Sequence, residues 1–207
     1  MEIETLIERL LDLDKAFGLP QCPEFDLPSR VATVATSELL KRLKTPAYVK
    51  PEILQEIGTR ALSNLNGGPT DLQQYSLGLL SLLYSPSSQR LKPSNCKAVA
   101  SAAAVHLTSK VDLVRRNVVG VLCGCVMQIL PNECASFAGP IEVMLAAEFT
   151  DTQLAKEAQA DIRQLLAARI SLPKVSRKLI QKKLQELEVT NGPLLELQAF
   201  YMEESSQ

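Results

Sequence analysis

SKVDLVRRNVVGVLCGCV, residues 109–126, passes from charged residues into Val118–Leu130, the most apolar run of the chain at 13 residues. A membrane span needs about 20 apolar residues, so this run predicts a buried core helix. The aspartate that opens it, Asp112, has counterparts in two other helix-like stretches: Asp71 in PTDLQQYSLGLLSLL, residues 69–83, and Asp151 in FTDTQLAKEAQADIRQLL, residues 149–166. The intervals are 41 residues from Asp71 to Asp112 and 39 from Asp112 to Asp151. A recurrence of about forty residues, each unit holding two helical segments, is the sequence signature of stacked helical hairpins.

Outward from this core the same period organises the caps and breaks. Near the start, Ile3, Leu6, Ile7, Leu10, Leu11 and Leu13 fall at helical spacing. GLPQCPEFDLP ends that stripe, and Ser29 is a cap for a second helix through Val31, Val34, Leu39, Leu40 and Leu43. Pro51 suits a first helical position because its missing N–H has no partner there, and Thr70 with Gln73 reads as a capping box. Gly139-Pro140 predicts a kink or break in the helix that follows Pro131. On the helix opened by Thr150 or Asp151, Leu154, Ala158, Ile162, Leu165 and Leu166 form the expected buried stripe, with Lys156, Glu157, Gln159 and Arg163 facing elsewhere. Asn191-Gly192-Pro193 separates the last helix, Leu194–Met202, from KVSRKLIQKKLQELE. Second helices thus open near Ser29, Asp71, Asp112, Asp151 and Asn191. The expectation is a single helical-repeat domain over residues 1–207, with repeats near 1–45, 50–85, 94–130, 132–170 and 174–204.

Composition agrees with a helical fold. Aromatic residues are 4% with no Trp, while Leu, Ala and Val fill the apolar positions. A net charge of −1 argues against an overall electrostatic grip on nucleic acid or an acidic membrane, and leaves only local patches to consider. Five cysteines, Cys22, Cys96, Cys123, Cys125 and Cys134, are an odd number without framework spacing. Together with an acidic, amphipathic N-terminal segment unlike a targeting sequence, they predict a reducing compartment, cytoplasmic or nuclear, and no membrane association.

Asp112-Leu113-Val114-Arg115, followed by Val118, Val119 and Leu122, resembles the second helix of a HEAT repeat, in which an Asp and a Val-Arg pair precede an apolar stripe; armadillo repeats are close relatives. The motif is partial at Asp71 and Asp151, where no Val-Arg follows, and absent at Ser29. The resemblance implies an all-α fold, a right-handed α-solenoid (superhelix) of about five antiparallel helical hairpins. It also implies that Asp112 and Arg115 bond to neighbouring repeats as a structural ladder.

Candidate chemistry is sparse. Cys123 and Cys125 lie about 200 degrees apart on a helix and cannot grip one metal from a single face, so packing is the expected role. His106, the sole histidine, sits in the Ala-rich SAAAVHLTS without a nucleophile context, and Asn66-Gly67-Gly68-Pro69 lacks the features of a phosphate loop. No catalytic, metal or cofactor residue can be named, and an enzyme is the least favoured class. The strongest surface signal is Lys174, Arg177, Lys178, Lys182 and Lys183, five bases in ten residues without an intervening acid. A second is the apolar terminal segment bearing Phe200 and Tyr201.

The expected function is a non-enzymatic scaffold or adaptor that presents a helical-repeat surface to an acidic or amphipathic segment of another protein. Gln74, Arg116 and Lys156, near the polar starts of second helices, join Lys174, Arg177, Lys178, Lys182, Phe200 and Tyr201 as candidate partner-binding residues. The alternative is a nucleic-acid-associated module in which Arg115, Arg116 and Lys174 to Lys183 form one basic stripe.

Overall fold

In the computed structural model, the described residues are 36–41, 43–44, 49–67, 69–88, 95–172, 174–187, 196 and 199–201. Among them every regular element is helical and none is a strand. Most of the expected first hairpin, including Ser29, and much of the last helix lie outside the described residues. The chain divides into two compact units, the first running to Tyr84 with Ser88 and the second comprising Ser85–Ser87 and the chain from Asn95 onward.

The first unit contains α1, Pro51–Gly67, and α2, Thr70–Tyr84. Pro51 occupies the first turn of α1, and Leu54, Ile57, Gly58, Ala61 and Leu65 are buried along one face at the spacing of a helical stripe. With only two residues between them and packed against each other, α1 and α2 form an antiparallel hairpin. The expected capping box is replaced: Thr70 already lies within α2, and the Gln73 N–H donates to the Pro69 carbonyl at 3.0 Å. At the other end the Ser88 hydroxyl lies 3.1 Å from the carbonyls of both Ser81 and Leu82, in the last turn of α2.

The second unit is built around α4, Asp112–Val126. Its sequence is poor in helix formers: Gly120 and Gly124 cost about 1 kcal/mol each relative to alanine, and five valines lose rotamer freedom. Burial supplies what propensity does not. All nine residues from Val118 to Val126 are buried, and Val118, Val119, Val121 and Leu122 have no solvent exposure. A helix buried on every side needs neighbours on every side. One is α3, Cys96–Ala104. Another is α7, Thr152–Ala167. A third approaches where the Cys123 thiol meets the Met144 sulfur at 3.6 Å, on α6, Ala138–Leu145.

Between α4 and α6 the chain turns through α5, Pro131–Cys134, and a single 3₁₀ turn, Ala135–Phe137. The expected break near Gly139-Pro140 therefore falls a few residues earlier. Pro140 is accommodated in the first turn of α6, where a missing N–H leaves no intrahelical bond unmade. Asp151 caps α7 as expected, its carboxylate accepting from the N–H groups of Gln153 at 2.7 Å and Leu154 at 3.0 Å. Finally α8, Arg177–Glu186, packs against α6.

Leu122→Ala should reduce the unfolding free energy by about 2–5 kcal/mol, because the close packing around α4 cannot collapse into the space. Leu113→Ala, at a side chain 54% exposed, should change it by less than about 0.5 kcal/mol. Urea unfolding followed by circular dichroism checks both.

Candidate binding site

Three charged residues at the start of α4 govern how the surrounding segments are held. Asp112 does not cap its own helix. One of its oxygens, Oδ2, accepts from the Thr150 N–H at 2.7 Å, the Thr150 hydroxyl at 2.7 Å and the Asp151 N–H at 2.9 Å, and so fixes the entry to α7. The other oxygen accepts from Arg115. The Arg115 guanidinium continues to the carbonyls of Ser109 at 2.6 Å and Glu148 at 2.9 Å, and lies 5.6 Å from the centre of the Phe149 ring. These two side chains therefore tie together the segments that precede α4 and α7. The Thr150 hydroxyl and the Asp151 N–H, then the Thr150 N–H and Arg115, hold the Asp112 carboxyl below its ordinary range, against a smaller opposing effect of burial.

Arg116, expected at a binding surface, is instead mostly covered. It pairs with Glu157 at 3.0 Å and with Asp161 at 3.6 Å, both on α7. Asp161 has no solvent exposure, and its other oxygen accepts from the Ser87 N–H at 3.1 Å. Glu157, expected to face elsewhere, turns toward α4 to meet this arginine. The sequence held a signal for Asp161: it lies three residues after Ala158 and four before Leu165, inside the apolar stripe of α7. An acid in that sector requires a buried partner. With Arg115 and Arg116 both engaged in the packing of α4, neither contributes to a basic surface stripe.

The basic segment is arranged differently. On α8, Ile180, Leu184 and Leu187 turn inward, while Arg177, Lys178 and Lys182 are exposed, and Lys174 is exposed in the turn before the helix. Both ends of the helix are held. The Glu142 carboxylate of α6 accepts from the Ser176 N–H at 2.7 Å, and Arg163 of α7 donates to the Leu187 carbonyl at 3.0 Å. Lys183 is largely covered and pairs with Glu186 at 2.7 Å; Lys182 reaches the same carboxylate at 3.6 Å. The Lys183 hydrogen bond, with the charge of both lysines, holds the Glu186 carboxyl below its usual range. Among the described residues no acid lies within ion-pair distance of Lys174, Arg177 or Lys178.

The remaining candidates are dispersed. Gln74 is half-buried on α2 of the first unit, and Lys156 is exposed on α7 of the second. Tyr201 is buried, with its hydroxyl donating to the Leu166 carbonyl at 3.1 Å, and Phe200 meets its ring edge-on at 5.0 Å. Tyr201 is thus part of the core rather than a free anchor. His106 is half-buried, and loss of water around it lowers its pKa. Among the described residues no group of acids, cysteines and histidine is placed to hold a metal, and no helix is long and apolar enough to cross a membrane. Comparison of the chain with family models, curated proteins and solved structures finds no match.

A carboxyl whose pKa is lower folded than unfolded contributes stability above its unfolded value, near 3.9. That contribution is lost as pH falls through the lower folded value. Asp112→Asn should therefore flatten the fall in unfolding free energy below about pH 4. It should also speed amide exchange at Thr150 and Asp151. Hydrogen exchange and urea titrations across that range check it, and an unchanged acid limb would contradict the assignment.

Proposed function

We propose that the chain is a HEAT/armadillo-like α-solenoid of about five antiparallel helical hairpins. Its function is that of a non-enzymatic scaffold, within a larger complex, that binds an acidic or amphipathic segment of another protein. The architectural part is supported by the near-forty-residue spacing of α2, α4 and α7, which begin at Thr70, Asp112 and Thr152. It is supported also by the bonds from Asp112 and Arg115 to the segment that opens α7, the ladder role that the resemblance implies.

The observation that carries the binding reading is the placement of charge on α8. Arg177 and Lys178 stand in its first turn, where the helix dipole disfavours cations by about 0.3–1 kcal/mol each. Helix stability does not explain them there, and their exposure leaves them available to a carboxylate-bearing partner. Because the inner face is anchored by Ile180, Leu184, Glu142 and Arg163, an incoming segment meets a preformed surface and loses less entropy on binding. The same cations suit phosphate, but without Arg115 and Arg116 the stripe envisaged for nucleic acid is reduced to one helix and its preceding turn.

The triple charge reversal Arg177→Glu, Lys178→Glu, Lys182→Glu tests this. Anisotropy titrations use a labelled Glu-rich amphipathic peptide and, separately, single-stranded DNA. The reversal should weaken peptide binding about tenfold or more, since three exposed pairs at roughly 0.5 kcal/mol each sum to that order. The melting temperature should stay close to that of the parent. Equal peptide affinity for the two proteins would overturn the reading. Binding only to DNA, with a steep loss in salt, would favour the nucleic-acid alternative.

A further inference from the structure

Ser176 stands among the exposed bases that open α8, in Lys174-Val175-Ser176-Arg177-Lys178. Among the described serines and threonines it is the one with Lys or Arg on both sides within two residues. It is exposed, it precedes the helix with extended backbone (φ −61°, ψ 119°), and its hydroxyl makes no capping bond to the first turn. Lys174 has left-handed backbone (φ 68°), so the hydroxyl follows a turn instead of lying within a helix. Val175 is buried, which leaves Lys174, Ser176, Arg177 and Lys178 on the outside. We propose that Ser176 is a phosphorylation site for a serine kinase selective for basic surroundings, and that its phosphate switches off the binding of an acidic segment at α8. The second half rests on α8 being the surface for such a segment.

Other hydroxyls beside a base are less suited. Thr59, next to Arg60, lies within α1 and donates to the Gln55 carbonyl at 3.0 Å. Ser109, next to Lys110, is half-buried, and its hydroxyl accepts from the Val111 N–H at 3.2 Å. A kinase must close around its acceptor hydroxyl and reads the charge on either side of it, so an exposed residue outside a helix and between cations is the better substrate. In the transfer the Ser176 oxygen attacks the terminal phosphorus of a nucleoside triphosphate. The bond from that phosphorus to the bridging oxygen breaks, the nucleoside diphosphate leaves with the electron pair, and the hydroxyl proton passes to the kinase's base.

The phosphate brings a charge of about −1.5 to −2 at neutral pH into a group of three exposed cations. Lys174, Arg177 and Lys178 have no acid within ion-pair distance among the described residues, so the new anion meets the charge that an acidic segment would otherwise meet. It stands before the first turn of α8, where the helix dipole favours an anion, so the helix keeps its fold while its outer charge is cancelled. One contact is lost. The Glu142 carboxylate, which accepts from the Ser176 N–H at 2.7 Å, is repelled by a second anion on the same residue. The start of α8 loosens from α6, while the buried Ile180 and Leu184 hold the rest of the helix in place.

The test treats the folded full-length protein with ATP and a serine kinase selective for basic residues on both sides of its acceptor, then maps phosphate by mass spectrometry. Ser176 should be modified ahead of Thr59 and Ser109, and Ser176→Ala should remove that phosphate. A second sample, made with phosphoserine installed at position 176 during synthesis, isolates the consequence from the kinase. Its affinity for the labelled Glu-rich peptide should fall about fivefold, the loss of two exposed ion pairs. Amide exchange at Ser176 should quicken, and Ser176→Ala should bind the peptide as the parent does. No phosphate on Ser176 in the folded protein, or equal peptide affinity with and without it, overturns the proposal and leaves the binding role of α8 standing. If the unmodified protein does not bind the peptide at all, that role fails and the switch fails with it.

Discussion

Everything in the second unit follows from one constraint, that α4 has no face to give to water. The nine buried residues from Val118 to Val126 demand apolar neighbours around the whole circumference, and α3, α6 and α7 supply them. The valines and glycines that make this a weak helix in isolation make it a good central one. Short side chains let neighbours come close, and branched ones lose little further freedom when packed. Cys123 and Cys125 show the arrangement in miniature. Two residues apart, they lie about 200 degrees apart around the axis, yet both are fully buried, Cys123 against Met144 of α6.

A helix of this kind must change character abruptly where it reaches the surface, and the charges at its start do that work. Asp112 and Arg115 bond to backbone groups of neighbouring segments, which otherwise lack helical partners. Arg116 goes deeper, between Glu157 and the fully buried Asp161. Two side chains thus fix the loops and the third fixes α7 against α4, while the apolar contact, being non-directional, supplies the attraction. The proposed binding surface lies away from this centre on α8, where Ile180 and Leu184 dock inward and Arg177, Lys178 and Lys182 turn out.

The sequence made the helices legible because apolar spacing, Pro51 and Asp151 act locally. The helical class of the described residues and the starts of α2, α4 and α7 fall where the spaced aspartates placed them. The sequence did not show which charged residues are internal. Arg116 and the exposed bases of α8 have the same chemistry, and only the partner on α7, 45 positions away at Asp161, separates them. Pairings of that kind depend on which helix faces which. Tyr201 was misleading for a related reason, since an aromatic ring near a terminus suits a partner surface or a core equally until the Leu166 carbonyl appears beside its hydroxyl. The Gly139-Pro140 break moved because Pro140 is tolerated in a first helical turn, and the local sequence permitted either placement.

The claim at the centre is that the Arg116–Asp161 pair sets the register of α7 on α4, and a double-mutant cycle in urea tests it directly. Arg116→Leu should cost about 3–5 kcal/mol, because it leaves the Asp161 charge without its cation in the interior, and Asp161→Leu should cost less, because Arg116 keeps Glu157. The double variant should cost less than Arg116→Leu alone, since Asp161 is then no longer a buried charge and the leucines complete the apolar contact. Additive losses, or single variants as stable as the parent, would contradict the account.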